Sequence, residues 1–146
     1  MASSFRCRVI TPAGKLLDET ATYASLPAWD GLIGVLPGRA PMVTSLGVGE
    51  LRVDFADTSA GKGGSRSFVL ESGFAQMVQD RLTILSSKAT PAESLSEADA
   101  QAELAAADAK QLDESTPPAE ADRIRKDRER ARTKLSLVRT LKSRGI

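Results

Sequence analysis

Histidine is absent from the chain, cysteine occurs once, and aromatic residues make up only 4% of it. Without histidine, Ser-His and Cys-His nucleophilic pairs and the commonest zinc ligand sets are excluded. Neither a metal site nor a cofactor is expected. The lone Cys7 has no internal partner for a disulfide, which suits a reducing compartment. It alternates with Phe5 and Val9 and is expected to be a small buried strand residue rather than a reactive thiol. No apolar run approaches the ~18–20 residues needed to cross a bilayer. The opening Met1–Arg6 has neither an apolar segment nor an Arg/Ser-rich, acid-poor character, so no targeting signal is expected.

What the chain does contain is enough apolar material, 41%, for a core built from Val, Leu, Ile and Ala. Its 146 residues fit one ordinary domain, or a compact domain of about 90 residues with an appendage. The net charge of +1 hides a strong pattern. Residues 1–91 are nearly balanced, with nine basic and eight acidic side chains. Residues 92–120 set Lys110 against eight carboxylates, a net −7. Residues 121–146 set ten basic side chains against Asp122, Asp127 and Glu129, a net +7. The two segments either attract each other or the second seeks an acidic partner.

Up to about residue 89 the pattern is that of β-structure. Phe5, Cys7 and Val9 alternate with Arg6 and Arg8, the period of a half-buried strand. Further strand-like runs are Ala21–Leu26, Leu51–Phe55, Ser67–Leu70, Phe74–Val78 and Leu82–Leu85, many of them separated by Gly and Pro clusters. Many short strands without a long helical period predict an antiparallel sandwich or barrel.

Ser86–Ser94 is polar and is expected to be a hinge. Ser94 and Glu97 have the spacing of a capping box and predict a helix start. Ala98, Ala102, Ala105, Ala109 and Leu112 then mark a seam of small residues. Asp113–Pro118 breaks it, and Thr116 and Pro117 suit the cap and first turn of a second helix from about Ala119 to Ser143, closed by Gly145. The second seam is Ile124, Ala131, Leu135 and Val138. Alanines bury little area, so the pair is expected to adhere weakly and to be able to open. Leu137 and Leu141 lie off the seam and are expected to stay exposed if the helices simply pair. The fold class expected is therefore an all-β N-terminal sandwich, residues 1–89, followed by a two-helix hairpin, residues 90–146.

No catalytic constellation emerges. In Gly61–Ser65, Lys62 is not followed by Ser or Thr, so this is not a phosphate-binding P-loop; Gly47-Val48-Gly49 lacks the third glycine of a dinucleotide fingerprint. Both are read as turns. The carboxylates Asp18, Glu19, Asp30, Glu50, Glu71 and Asp80 flank turns or strand ends and form no acid/base pair. The second helix carries two basic stripes, Arg125, Arg128, Arg132 and Arg139, and Arg123, Lys126, Arg130 and Lys134. Such a face suits docking to an acidic protein surface, a plain solvated exterior, or a free-standing nucleic-acid binder. Against the last, residues 92–146 have no aromatic side chain for base stacking, and the −7 segment competes for the same helix.

Trp29-Asp30-Gly31-Leu32-Ile33-Gly34-Val35-Leu36-Pro37-Gly38-Arg39-Ala40-Pro41-Met42-Val43-Thr44 resembles the signature turn of the ε subunit of F-type ATP synthases. The surrounding order agrees: an opening strand ending in Thr11-Pro12, then Leu46-x-x-Gly49-Glu50-Leu51, then Ser72-Gly73-Phe74-Ala75, then Val78 to Leu85, then two helices. The resemblance covers essentially the whole chain. It implies a non-catalytic rotor subunit of a proton-translocating enzyme, peripheral to the cytoplasmic face of the inner membrane. Its sandwich would bind the γ subunit and sit on the membrane c-ring. Its hairpin would either fold down or extend along γ to the α and β subunits and block ATP hydrolysis.

By position, Asp30, Gly31 and Leu32 would approach the ring, although a tight turn without any contact explains the glycine equally well. Arg125, Arg128, Arg132 and Arg139 would meet acidic segments of α and β, with Leu137 and Leu141 filling apolar space. Two departures from the family pattern matter. Arg39 stands where histidine is usual and stays charged at every relevant pH. Leu95-Ser96-Glu97-Ala98-Asp99-Ala100 aligns with an ATP-binding motif, but Ser96 replaces its aspartate and Asp99 its arginine. Weak or no ATP binding is therefore expected, although Arg130 and Lys134 keep the second helix's basic positions.

Overall fold

The computed structural model describes residues 3–143 apart from 58, 60 and 62. The Gly145 helix stop and Lys62 of the Gly61–Ser65 turn lie outside the described residues. The chain forms two compact units, one up to Pro91 and one from Ala92 on.

Among its described residues the first unit holds seven strands: β1 (Phe5–Thr11), β2 (Gly14–Ala28), β3 (Gly31–Val35), β4 (Met42–Leu46), β5 (Gly49–Phe55), β6 (Ser65–Val78) and β7 (Arg81–Pro91). They run in the order β1-β7-β6-β4-β2-β3, with β5 bridging β2 and β6, and β1 also pairing with β2. All pairings are antiparallel except β1 with β7. The long strands β2 and β6 fold the sheet back on itself, because each changes neighbours along its length. The first half of β6 pairs with β5 (Gly49↔Leu70) and the second with β4 (Leu46↔Gly73). The inward residues Val9, Leu26, Leu51, Val53, Phe68, Leu70, Met77, Leu82 and Ile84 make one core with little aromatic content. Cys7 is buried among them, and desolvation, followed by the nearby Asp18 carboxylate, pushes its thiol up to about 12. It is an inert packing residue.

The corner of β6 depends on Gly73. Ser72 and Gly73 have φ of 27° and 154°, and a Cβ on Gly73 would run into the Leu85 carbonyl of β7. Beside it, the buried Ser86 hydroxyl lies 2.8–3.2 Å from the carbonyl oxygens of Glu71, Ser72 and Lys88 and can donate to one at a time. Gly73→Ala should therefore destabilise the fold by on the order of 3 kcal/mol, read from urea unfolding. A loss below about 1 kcal/mol would show that β7 simply yields.

Two expectations are corrected here. Ser86–Pro91 is not a hinge but the continuation of β7, whose rungs run on to Phe68↔Pro91; polar side chains are compatible with the exposed positions of a paired strand. The signature segment is not one turn but the two short strands β3 and β4 around residues 36–41.

The second unit opens with a 3-10 turn, Ala92–Ser94, followed by α1 (Glu97–Asp108) and α2 (Pro118–Ser143). The N-cap of α1 is Ser96, not Ser94: its backbone is extended and its hydroxyl accepts from the Asp99 amide. In the connection, Asp113 accepts from the amide and hydroxyl of Ser115, while Thr116 Oγ1 accepts from the Asp113 amide. The Ser115 bonds above all, and then those from Thr116 to the same carboxylate, hold Asp113 below its ordinary range. The Pro117 carbonyl takes the first bond of α2, from Ala121.

Candidate functional site

The α2 seam is as the spacing predicts: Ile124, Ala131, Leu135 and Val138 are buried, together with Ala121. The α1 seam is not. Ala98, Ala102, Ala105 and Ala109 are exposed and Leu112 half-buried, while Ala100 and Ala107 are the buried residues of the helix. Alanines lie on every side of α1, so several seams compete; the inner one runs through Ala100, the half-buried Leu104 and Ala107 at spacings of 4 and 3. Leu137, expected to stay exposed, is buried, and Leu141 is half-buried. Leu137 and Val138 stand about 100° apart on the helix, so the buried stripe of α2 is wider than its seam. Leu141 lines a cleft of about 590 Å³ with Leu95, Ala98 and Val138, bordered by Glu93 and Glu97.

The acidic helix and the basic helix neutralise each other rung by rung. Glu97 binds Lys142 at 2.7 Å and Arg139 at 3.3 Å. Glu103 binds Arg130 at 2.7 Å and Lys134 at 3.2 Å. Asp108 faces Arg128 at 3.5 Å and Arg132 at 3.6 Å, and Lys110 faces Asp127 at 3.5 Å. The Arg128 guanidinium also donates to the Ala107 and Lys110 carbonyls at 3.2 and 2.8 Å, closing the C-terminal end of α1. Among the described residues Arg125 pairs within its own helix, with Asp122. Three of the four arginines of the first stripe, and Arg130 and Lys134 of the second, are thus engaged by α1 rather than free for another anion.

Protonation can loosen this ladder. Hydrogen bonds from Lys142 and then Arg139 lower the Glu97 carboxyl from its ordinary 4.5. Partial burial pushes Glu103 upward, but bonds from Arg130 and Lys134 outweigh it and leave that group lowered too. A carboxyl depressed in the folded state contributes stability above its unfolded value, and that contribution disappears as pH falls through the folded value. The helical circular-dichroism signal should therefore melt at lower temperature as pH falls from about 5 to about 3. Glu97→Gln with Glu103→Gln should flatten that dependence; an unchanged slope in the double variant would assign it to other groups.

At the other candidate position, Trp29 and Asp30 join β2 to β3. Gly31 has φ of +134°, a backbone conformation open to glycine. Trp29 and Leu32 are 72% and 74% exposed, so this tip presents apolar surface to solvent. The neighbouring Pro37–Pro41 segment is anchored across the sheet, since the Gly38 amide donates to Asp80 at 2.8 Å. Arg39 folds back, donating to the Gly34 carbonyl and to the Met42 sulfur. Asp80 is one of the turn-flanking carboxylates, and nothing in its sequence position signals the long-range bond to Gly38. Among the described residues no cluster of His, Cys, Asp and Glu is placed to hold a metal ion. No helix among them is long and apolar enough to cross a membrane.

Residues 4–92 match the family model described as ATP synthase, Delta/Epsilon chain, beta-sandwich domain. The ATP synthase epsilon chain of Prochlorococcus marinus (strain MIT 9313) is 33% identical over 138 residues, 93% of this chain and 99% of that one. The chain belongs to the epsilon-chain family of ATP synthases. The epsilon chain of Rhodopirellula baltica is 37% identical over 114 residues, covering 78% of this chain and 83% of the relative. Two solved assemblies share the fold at low identity. A chain of the Euglena gracilis mitochondrial ATP synthase OSCP/F1/c-ring structure aligns with a TM-score of 0.76 at 21% identity, over 91% of this chain and 80% of that one. A chain of the Tetrahymena thermophila mitochondrial ATP synthase central stalk/c-ring structure aligns at 0.61 and 10%, over 91% and 95%. The resemblance in the signature segment and the order of elements thus identified the family, and the sandwich-then-hairpin fold class is the one observed. This epsilon-family chain is a subunit of an ATP synthase, and free-standing nucleic-acid binding has no support among its relatives.

Proposed function

We propose that this epsilon-family chain is a non-catalytic subunit of the central stalk. Its sandwich binds γ and, through Asp30, Gly31 and Leu32, meets the c-ring, coupling ion-driven rotation to ATP synthesis. Its hairpin restrains ATP hydrolysis by opening and presenting α2 to the α and β subunits. It works peripherally, at the cytoplasmic face of the inner membrane. Family membership supports the assembly, and the exposed Trp29–Leu32 tip supports an apolar contact at that end.

The observation that carries the brake is the α1–α2 ladder. Arg128, Arg132 and Arg139 are held by Asp108 and Glu97 in the closed hairpin, so opening frees them for carboxylates elsewhere. Arg125, already at the surface, would join them. Leu137 would have to leave its buried position, and Leu141 its cleft, to fill apolar space on the partner. Exposed pairs contribute only about 0–1 kcal/mol each, so the exchange is nearly balanced and two states of similar free energy are natural. ATP is not expected to set that balance. Ser96 is occupied as the α1 cap, Asp99 and Glu97 bring negative charge, and Glu103 already holds Arg130 and Lys134.

The test is ATP hydrolysis by the assembled head, with the full chain and with a chain ending at Ala92. Removal of the helices should raise hydrolysis severalfold while γ remains bound. Equal rates would eliminate the brake.

A further inference from the structure

The helix α1 stops where its own sequence supplies no stop. After Asp108 come Ala109-Lys110-Gln111-Leu112, all good helix formers, and no glycine occurs from Leu95 to Thr116. Ala109 keeps a right-handed backbone, with φ of −72° and ψ of −19°, so no left-handed residue closes the helix there. Yet α1 ends at Asp108, and Gln111 and Leu112 lie outside any helix.

What stands at that end is one side chain of the other helix. In a continuing helix the Ala107 carbonyl would take the Gln111 amide, and the Lys110 carbonyl the Glu114 amide. Here Arg128 Nε donates to the Ala107 carbonyl at 3.2 Å, and its Nη2 to the Lys110 carbonyl at 2.8 Å. The two acceptors lie on either side of the helix end, so one rigid fork spans the point where the chain leaves α1. Lys110 reaches back to Asp127, the neighbour of Arg128, at 3.5 Å. The Glu97 and Glu103 rungs join side chain to side chain, and each can break while both backbones stay in place. Asp108, which faces Arg128 at 3.5 Å, has a side chain 49% exposed, against 21% for the arginine. The ion pair is therefore the screened part of this contact, and the carbonyl bonds are the shielded part.

We infer that Arg128 is the latch of the hairpin. Its guanidinium caps the C-terminal end of α1 and clamps the hinge at Ala109 and Lys110, so α2 swings away only when both carbonyl bonds break. A cation at this end also offsets the negative pole of the α1 dipole. The geometry calls for the planar fork of arginine; lysine carries the same charge without it. The inference rests on the reading of the hairpin as a brake, and it names the contact that sets the resting state.

The test compares single variants of the full-length chain by amide hydrogen exchange in α1 and α2. Arg128→Lys keeps the charge and loses the fork, and should speed exchange about tenfold, the effect of losing one hydrogen bond from a charged donor. Asp108→Asn removes the carboxylate and keeps the fork, and should speed exchange less than about threefold. Arg128→Gln loses fork and charge together and should open the hairpin at least as far as Arg128→Lys. Exchange at the wild-type rate in Arg128→Lys, or an equal or larger effect from Asp108→Asn, overturns the inference. In the assembled head, Arg128→Lys should also lower ATP hydrolysis severalfold. Faster exchange with unchanged hydrolysis would leave the latch standing and remove the brake.

Discussion

Neutralising the acidic side of the hairpin, with Glu97→Gln, Glu103→Gln and Asp108→Asn together, should lower ATP hydrolysis by the assembled head severalfold. These three carboxylates hold six of the basic side chains of α2 in the closed hairpin. None of the six cations is altered, so the docking surface proposed for α and β remains complete. Only the closed state is weakened. The Glu103 rung is partly shielded from solvent and is worth on the order of 1 kcal/mol, about a fivefold shift between two nearly balanced states. The outer rungs are solvent-exposed and screened, and they add less. Hydrolysis that stays at the wild-type rate would show that the ladder does not control the hairpin.

Reversing the cations has the opposite outcome. Arg128→Glu, Arg132→Glu and Arg139→Glu should raise hydrolysis severalfold, approaching the rate with the helices removed. This variant also loosens the closed hairpin, because like charges now face Asp108 and Glu97 and the Arg128 bonds to the end of α1 disappear. Both variants therefore open the hairpin, yet they move hydrolysis in opposite directions. If looseness alone caused inhibition, both would inhibit. Opposite signs require that the cations themselves make the inhibitory contact, and equal signs would contradict it.

The parts of the fold legible in the sequence were those with a single reading. β1 alternates cleanly through Phe5, Cys7 and Val9, and α2 sets Ile124, Leu135 and Val138 apart from a polar background. The −7 and +7 segments also spoke for themselves, and the pairs they form are those of the ladder. Where the pattern was degenerate, it misled. Alanine surrounds α1, so the seam at Ala98 and Ala102 looked as good as the true one through Ala100, Leu104 and Ala107, beside which Glu103 lies. Polar residues at 86–91 resemble a linker, but β6 is long enough to pair with them as strand. The exposure of Val43, Phe74 and Leu85 was hidden because they fit a strand pattern whether they point in or out; only register separates the two. The parallel pairing of β1 with β7 joins residues more than 70 positions apart, which no local pattern carries.

Retention of purified γ by the full-length chain at moderate salt tests the central claim most directly, since stalk function and hairpin control both require the sandwich to hold the shaft. A stable one-to-one complex that survives removal of the two helices is the expected result. A γ subunit that elutes alone, in the presence of a folded full-length chain, would contradict the assignment regardless of how the helices behave.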